Sequence, residues 1–476
     1  MIEQITSRQN LLRAMRQVQR NLGSAGIDHM PVTKLTELMS IDKFKLANMV
    51  KSGEYLPQPI LGVEIPKENG TKRLLGIPTV TDRLLQQAVL QIITIKFETD
   101  FSDYSYGFRP NKSTHQAVLK AQGYINDGFQ DIVNIDLKSF FDEVNHCHLL
   151  QLLHHKIKCK ETLRLIRKWL RAPIMINGKL VKRRKGVPQG SPLSPLLSNI
   201  MLNELDKFLE KQGVRFVRYA DDFSIYFKTK ASAKQMGNKV YIFLRDKLKL
   251  PINKEKSKIC RPIDHVILGF GFVPTYKKGD KGKYQLVVSK KNWKKFKMKI
   301  KLLTRKTTPM SFDERVMKLN QSIRGWVNNF RIANIYNKLL ELDGWLRNRL
   351  RYCIWHHWKK PERKRKNLIR LGVNHTDAYR WSRSRKGGWA IAQSPILNTT
   401  ITVERLKRRG LISCLELYLK ISPQHNEPLY TRPVRSSRSG RLPSLSPLRT
   451  VHESFPSYGS STLKTTFVIR SSDCCS

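Results

Sequence analysis

Two adjacent acids, Asp221 and Asp222, lie at the centre of the run FVRYADDFSIYF, which is otherwise built almost wholly from aromatic, β-branched and small residues. Flanks of equal length on both sides predict two strands joined by a tight turn at the acids. The pair can be plain turn residues, because Asp tolerates turn geometry. Two carboxylates about 4 Å apart repel by about 4 kcal/mol at an effective dielectric near 20. A bound divalent cation such as Mg²⁺ would offset that repulsion.

A third acid, Asp136, ends the short apolar run of strand character in IVNIDLKSFFDEVNH. Taken alone, Asp136 is explained by a helix cap. Together with Asp221 and Asp222 it gives three carboxylates at the ends of adjacent predicted strands. Such a set can hold two Mg²⁺ ions, which clamp an attacking 3′-hydroxyl and a leaving pyrophosphate during an in-line displacement. The chemistry indicated is therefore nucleotidyl transfer.

A turn that contains Pro188, Gln189 and Gly190 lies between these acids and leads into an apolar helix, in KGVPQGSPLSPLLSNIMLNELD. A plain junction between a loop and a helix would explain the Gly and Pro residues. Glycine also lets a backbone come close to a flat partner such as a base pair, and Gln189 can form hydrogen bonds with a sugar or a base.

The composition of the chain indicates which binding partners are expected. The 476 residues include 88 Lys and Arg against 37 Asp and Glu, a formal charge of +51. Such a field indicates nucleic acid first and an anionic membrane surface second. The polar start MIEQITSRQN and the lack of a long apolar run predict a cytoplasmic protein without a membrane partner. The seven cysteines form no Cys-x-x-Cys pair, so neither a structural zinc site nor a zinc-dependent nuclease is expected.

The elements that must position the site are of mixed type. Strand-like runs and helical stretches alternate through residues 1–280, which predicts an α+β region whose sheet supports the acidic turn. A Ser-x-x-Glu capping box at Ser311 then opens a helical pattern, with a second helix from Ile335. The last segment, 421–476, is rich in Ser and Pro and is expected to be disordered.

Basic residues concentrate in the helical part, where Lys277 to Lys386 contain 32 basic and 7 acidic residues. This excess can be a solvated helix exterior, but solvation alone would be served by mixed signs. The run WHHWKKPERKRK interleaves bases with aromatics, a pattern that favours a nucleic-acid surface. The residues predicted to contact nucleic acid there are Lys359, Lys360, Arg363, Lys364, Arg365 and Lys366.

Three segments, IDLKSFFDEV, GVPQGSPLSPLLSNIMLNELD and YADD, resemble in this order and spacing the central palm motifs of reverse transcriptases. SYGFRPNKSTHQAV, KRLLGIPTVTDRLLQQAV and LKLPINKEKSKI before LGFGF resemble the bacterial group II intron-encoded reverse transcriptases, or maturases. SIRGWVNNFRIA is similar to their thumb, and WAIAQSPILNTTITVERLKRRGLISCLELY to the end of members without an added nuclease. The resemblance covers about residues 10 to 420.

The resemblance implies a right-hand polymerase fold. Reverse transcriptase fingers and palm are expected in 1–280 and a helical thumb or maturase domain in 281–370. A small basic DNA-binding domain is expected in 371–420.

The resemblance also assigns roles position by position. Asp136, Asp221 and Asp222 match the catalytic metal ligands, with the backbone carbonyl of Leu137 as a further ligand. Phe141 matches the aromatic steric gate that excludes a ribose 2′-hydroxyl.

The remaining matched positions concern the incoming nucleotide. Gln189 matches the residue that packs on it, and Arg73 and Lys67 fall where the family holds the triphosphate. Lys256 is the candidate proton donor to pyrophosphate, with Lys254 and Lys258 as alternatives.

The implied function is RNA-directed DNA synthesis by a protein that binds its group II intron RNA, assists its splicing and copies it during retrohoming. Its partners would be the intron RNA, a template and primer duplex, target DNA, deoxynucleotides and two Mg²⁺ ions. One alternative is a splicing factor with little polymerase activity. Another is a reverse transcriptase of the retron, diversity-generating or defence type.

Overall fold

The computed structural model describes residues 1–66, 70, 72–275 and 282–422, without the side chains of residues 41–44. These residues form two compact units. The first contains Met1–Leu268 and Pro274–Tyr284, and the second contains Gly269–Val273 and continues from Gln285. The tail predicted for 421–476 lies outside the described residues after Ser422. The domain limits predicted at 280, 370 and 420 stay predictions.

The first unit mixes helices and strands along the chain. Its helices are α1 (Ile2–Thr6), α2 (Arg8–Arg20), α3 (Leu35–Ser52), α4 (Val80–Glu98), α5 (Thr114–Asn126), α6 (Phe140–Glu143), α7 (His146–Lys156), α8 (Lys160–Arg171), α9 (Ser194–Lys211) and α10 (Lys230–Asp246). Its strands are β1 (Ile60–Pro66), β2 (Lys72–Ile77), β3 (Asp131–Ile135), β4 (Ile174–Ile176), β5 (Lys179–Val181), β6 (Arg215–Tyr219), β7 (Asp222–Phe227), β8 (Lys258–Cys260) and β9 (Val266–Ile267).

A four-stranded sheet in the order β6-β7-β3-β8 carries the acidic residues. Its neighbouring strands are all antiparallel. The central strands β3 and β7 are buried along nearly their whole length, which matches their apolar and β-branched composition. Helices α9 and α10 pack against this sheet with continuous apolar faces. The sheet therefore holds the acidic residues at its strand ends in fixed positions.

A second four-stranded sheet has the order β2-β1-β4-β5. β1 pairs with β2 antiparallel and with β4 parallel. Two glycines of this sheet, Gly62 and Gly76, are close to neighbouring atoms, and a Cβ on Gly76 would lie 2.9 Å from Ile60 Cγ2. The sheet positions β2, which carries the predicted triphosphate ligand Arg73.

The second unit is mainly helical. After β10 (Phe270–Pro274) and β11 (Tyr284–Val288) its helices are α11 (Lys290–Leu303), α12 (Phe312–Phe330), α13 (Tyr336–His357), α14 (Pro361–Arg370), α15 (His375–Ser382), α16 (Gly388–Gln393), α17 (Pro395–Thr400), α18 (Val403–Arg408) and α19 (Cys414–Ile421). Ser311 caps α12 by accepting a hydrogen bond from Glu314 N at 3.1 Å. The predicted apolar stripes of α12 and α13 are buried at Leu319, Ile323, Leu339 and Leu346. The helical pattern predicted here is thus confirmed.

Candidate active site

The three predicted carboxylates meet at one end of the β7-β3 pair. Ile135 pairs with Phe223, so continuing the antiparallel register by one residue places Asp136 opposite Asp222. Asp221 lies beside them in the turn between β6 and β7, where Tyr219 pairs with Asp222. The prediction that both acids form the turn is wrong by one residue. The turn consists of Ala220 and Asp221, and Ala220 supplies the left-handed backbone with φ of 58°.

Burial and repulsion between the carboxylates raise the pKa of both Asp221 and Asp222. The pKa of Asp222 rises to about 6, first through burial and then through the charges of Asp221 and Asp136. Burial also raises the pKa of Asp221, and Asp136 adds to that rise while Arg73 and Arg218 oppose it. The side chain of Asp136 is 44% exposed and faces the open side of the cluster. A cation at this site would relieve the carboxylate charges that raise the pKa of Asp221 and Asp222.

The donor set fits a hard divalent ion in type, because Mg²⁺ takes carboxylate and carbonyl oxygens. Within the described ranges, no three His, Cys, Asp or Glu side chains stand in a ready metal-ligand arrangement. The carboxylates therefore have to rotate toward an ion, which is cheap for exposed Asp136. Leu137, the source of the predicted carbonyl ligand, has a buried side chain and forms a bridge with Ile252.

A buried arginine supports the turn that carries Asp221. Arg218 Nε donates to Asp206 Oδ1 at 2.7 Å, and Arg218 Nη2 forms a second bond to Asp206 Oδ2. Nη1 donates to Asn199 Oδ1 at 2.9 Å and to the carbonyl oxygen of Ala220 at 3.0 Å. A Cβ on Gly107 would lie 2.3 Å from Ala220 N, so only glycine allows this backbone approach. Sequence reasoning gave no role to Arg218, Asp206 or Asn199, although a charged residue inside an apolar strand was a visible signal.

The predicted steric gate is tied to the loop that precedes Gln189. Phe141 is half-buried on α6, next to the buried Phe140. Val187 N donates to Phe141 O at 2.6 Å, and Gly186 N donates to Val144 O at 2.7 Å. Gly186 has φ of 85°, and a Cβ there would lie 2.8 Å from Asp142 O. The backbones that carry Phe141 and Gln189 are consequently held together.

The structure also brings Gln189 and Arg73 together. Arg73 Nε donates to Gln189 Oε1, and Gly76 N donates to the backbone oxygen of Gln189 at 2.7 Å. Gly190 has φ of 116°, and a Cβ at this position would lie 2.5 Å from Gly76 O. The backbones of β2 and of the Gln189 loop can approach closely because Gly76 and Gly190 have no side chains. This approach places the guanidinium of Arg73 beside the amide of Gln189. Lys67 lies outside the described residues.

Lys256 stands at the open side of the carboxylates. Its Nζ lies 3.5 Å from Asp136 Oδ2, and its side chain is 66% exposed. The loop that carries it is fixed to the end of β3, because Asn253 N donates to Asp136 O at 2.8 Å and Asp136 N donates to Ser257 Oγ at 3.1 Å. Lys256 can therefore reach the site without being buried in it.

The predicted nucleic-acid patch divides into two groups. Lys359, Lys360, Arg363 and Lys366 are exposed at the start of α14. Lys364 Nζ lies 4.5 Å from the centroid of the Trp355 ring, and Arg365 Nε donates to Glu362 at 3.0 Å. These last two side chains serve intramolecular contacts, so their replacement would also disturb packing.

Comparison with known proteins identifies the family. The family model described as reverse transcriptase (RNA-dependent DNA polymerase) matches residues 65–312, more than half of the chain. The chain belongs to the reverse transcriptase family. A second model, the group II intron, maturase-specific domain, matches residues 293–372. The predicted recognition as a group II intron-encoded reverse transcriptase and maturase is confirmed, as are the α+β fold class and the enzyme class.

Three curated proteins illustrate the similarity. Protein YkfC of Escherichia coli is 33% identical over 286 residues, which cover 52% of this chain and 74% of YkfC. The group II intron-encoded protein LtrA of Lactococcus lactis is 42% identical over 37% of this chain and 29% of LtrA. The putative COX1/OXI3 intron 2 protein of Saccharomyces cerevisiae is 30% identical over 49% of this chain and 26% of its own length. The match thus spans less than a third of either intron protein.

The match to the maturase-specific domain implies that this reverse transcriptase binds intron RNA, and it favours the intron-encoded class over the retron, diversity-generating and defence classes. Members of the family use divalent metal ions. Within the part of the chain that the structure describes, no helix has the length and apolar character needed to cross a bilayer.

Proposed function

We propose that this reverse transcriptase copies its own group II intron RNA into DNA during retrohoming, and that it also assists the splicing of that RNA. The observation that carries the polymerase part is the β3–β7 register, which ends with Ile135 opposite Phe223 and so brings the next residues, Asp136 and Asp222, together beside Asp221 in the adjoining turn. The maturase part is supported by the match at residues 293–372.

Asp136, Asp221 and Asp222 are the residues that would hold two Mg²⁺ ions, with the carbonyl of Leu137 as a further ligand. Such ions, when bound, lower the barrier by polarising the primer 3′-hydroxyl and neutralising charge on the leaving pyrophosphate. Asp222 is the more buried of the turn-side pair, and Asp136 stands on the open side. We assign Asp222 and Asp221 to anchoring and Asp136 to closure around the entering nucleotide.

Phe141 and the Arg73–Gln189 pair select and align that nucleotide. The ring of Phe141 lies on α6, and the backbone of its turn is fixed by Val187 and Gly186. A rigid ring can exclude a 2′-hydroxyl because the turn behind it does not yield. Arg73 carries a guanidinium suited to phosphate oxygens, and its bond to Gln189 Oε1 leaves other N–H groups for them.

Lys256 is the proton donor that we assign to the leaving pyrophosphate. Its Nζ stands at 3.5 Å from Asp136, at the exposed side where a leaving group departs. A flexible ammonium at that position can follow the leaving oxygen and transfer a proton to it.

The second unit supplies the RNA surface. Lys359 and Lys360 before α14, and Arg363 and Lys366 on it, present exposed charge inside the maturase-specific match. The segment 371–420 would contact target DNA.

Primer extension on an RNA template tests the polymerase assignment. Wild-type protein should extend a DNA primer with deoxynucleotides and Mg²⁺, and Asp221→Asn or Asp222→Asn should reduce the rate by a factor of about 10³ or more. The matched control is Asp246→Asn, which changes an exposed acid on α10. A wild-type protein that binds and splices the intron without extending primers would establish the splicing-factor alternative.

A further inference from the structure

A groove of about 830 Å³ lies between α7 and α8 in the first unit, outside the site described above. One wall carries Lys160, Arg164, Arg167 and Arg171. The intervals between these residues are four, three and four positions, so their side chains share one face of α8. All four are exposed. The stripe extends over about 16 Å at the α-helical rise.

The opposite wall is polar. It carries Gln151, His154 and His155 of α7, all of them exposed. None of the residues that the structure places around the groove is acidic. A solvated helix exterior usually mixes signs, so a groove with four cations on one wall and no acid on either wall indicates an anionic ligand.

Other bases on the same two helices serve the fold. Lys156 Nζ lies 2.5 Å from Asp100 Oδ1. Lys168 Nζ donates to Gly53 O at 2.6 Å and to Tyr55 O at 2.8 Å. In contrast, none of the four cations of the stripe forms an ion pair with a described acid. Their charge is therefore available to a partner, whereas that of Lys156 and Lys168 is not.

One buried residue links the groove to the loop behind Phe141. Buried His146 lines the groove, and its Nε2 lies 2.7 Å from the oxygen of Gly186, the loop residue behind Phe141. The cationic stripe lies on another helix, which carries no carboxylate or nucleotide ligand of the site. Under the proposed function, a short template and primer duplex would lie at the carboxylates, whereas a folded intron RNA has further phosphates that can reach a second surface.

We propose that the groove between α7 and α8 binds the phosphate backbone of the intron RNA, as a second contact besides the maturase-specific domain. This inference rests on the proposed function. Four cations along about 16 Å match the close spacing of phosphates on a nucleic-acid strand, and each neutralised phosphate releases counterions. The groove thus adds affinity for RNA that does not depend on the base sequence.

The first experiment compares two variants of equal charge change. In the groove variant, Lys160, Arg164, Arg167 and Arg171 are replaced by Gln. In the control variant, the same replacement is made at four exposed lysines on or next to α10, namely Lys230, Lys234, Lys239 and Lys247. The probe is a transcript of the genomic segment that surrounds the reading frame. Filter binding across salt concentrations gives the affinity and its salt slope.

The groove variant should lower the salt slope by about three units and the affinity at moderate salt by about tenfold or more. The control variant should leave the slope near that of the wild type. Primer extension on a short template at low salt should remain at the wild-type rate in both variants. Equal slopes for the groove and control variants would overturn the proposal.

The second experiment needs no substitution. Cys147 is exposed and lines the groove, so bound RNA should protect its thiol from alkylation. Alkylation is followed at Cys147 by peptide mapping, with and without the transcript, and again with a short template and primer duplex. Protection by the transcript alone supports the proposal. Protection by the short duplex would assign the groove to the template, and no protection by either would also overturn it.

The outcomes separate this inference from the proposed function. If the wild-type protein fails to bind the transcript, the intron-binding function itself is wrong. If it binds the transcript and either experiment shows no effect at α7 and α8, only the groove is wrong.

Discussion

Arg218 on β6 and Asp206 on α9 form a fully buried ion pair, and the same guanidinium donates to the carbonyl oxygen of Ala220 in the turn that carries Asp221. The pair joins the helix behind the sheet to the residue whose left-handed backbone aims Asp221. Its burial makes it costly to break, because one partner alone would leave an uncompensated charge.

Arg218→Met should therefore lower the free energy of unfolding by roughly 3–5 kcal/mol. The double variant Arg218→Met with Asp206→Leu should recover most of that loss, since no buried charge remains. Primer extension by the double variant should nevertheless stay well below wild type, because Ala220 has lost its donor. The measurements are urea unfolding and single-nucleotide extension. Wild-type extension by a stable double variant would show that the pair serves only the fold.

The three carboxylates should make stability depend on Mg²⁺. Burial and the neighbouring charges raise the pKa of Asp222 to about 6, so its ionised form is disfavoured without a cation. At neutral pH and without metal, Asp222→Asn should melt at a higher temperature than the wild type. Added Mg²⁺ should raise the melting temperature of the wild type and have little effect on the variant. An equal Mg²⁺ response in both proteins would argue against metal binding at Asp222.

Phe141→Ala should lower the discrimination between deoxynucleotides and ribonucleotides by a factor of about 10 to 100, since a hydroxyl that meets no side chain is poorly rejected. Phe141→Tyr keeps the ring and is the matched control. The measurement is the ratio of kcat/KM for the two nucleotides in single-nucleotide extension. If discrimination is unchanged in Phe141→Ala, another residue senses the 2′-hydroxyl.

His265 should account for part of the decrease in the free energy of unfolding at acid pH. Burial lowers its pKa to about 3, and its Nε2 lies 3.3 Å from the hydroxyl of Tyr226 on β7. The ordinary pKa of histidine is 6.5. Between pH 6.5 and about 3 the unfolded chain therefore binds a proton at His265, whereas the folded chain does not. The contribution of His265 to stability is therefore fully present above pH 6.5, and it is lost as the pH falls from 6.5 toward 3. His265→Gln should flatten this limb in urea unfolding series, and an unchanged slope would assign the acid sensitivity elsewhere.

The sequence predicts the elements better than their pairing. The stripes at Leu319, Ile323, Leu339 and Leu346 identify two helices because burial on a helix repeats every three to four residues. The turn beside Asp222 was misplaced by one residue, because composition alone does not distinguish a turn acid from the first residue of a strand. Register depends on hydrogen bonds between distant segments, and these leave no local pattern.

The supporting residues of the site were the least visible. Arg218 and Asp206 are twelve positions apart, and although an arginine inside an apolar strand is a visible signal, no local pattern indicates its partner. Lys364 and Arg365 were predicted to contact nucleic acid because they belong to a basic run. In the structure they also contact Trp355 and Glu362, and their contact with nucleic acid stays a prediction. Which face a residue occupies is decided by packing of its helix, and a charge run does not encode that.

The predicted nucleic-acid patch contains four exposed bases and two bases with intramolecular contacts. Replacing only the exposed bases gives a test that separates splicing from polymerisation. Replacing the four exposed bases Lys359, Lys360, Arg363 and Lys366 by Gln removes four positive charges without replacing Lys364 or Arg365. Intron splicing at moderate Mg²⁺ should fall, because the folded RNA loses cations that offset its phosphate repulsion. Extension on a saturating short template at low salt should survive, since the carboxylates belong to the other unit.

The salt slope of intron binding should fall by about three units in this variant. The variant with Gln at Lys230, Lys234, Lys239 and Lys247 has the same charge change and should splice like the wild type. A splicing time course, filter binding and primer extension on the same preparations check the three expectations. Equal loss of splicing and extension would indicate a template grip on α14, whereas loss of neither would leave these four bases as a solvated helix face.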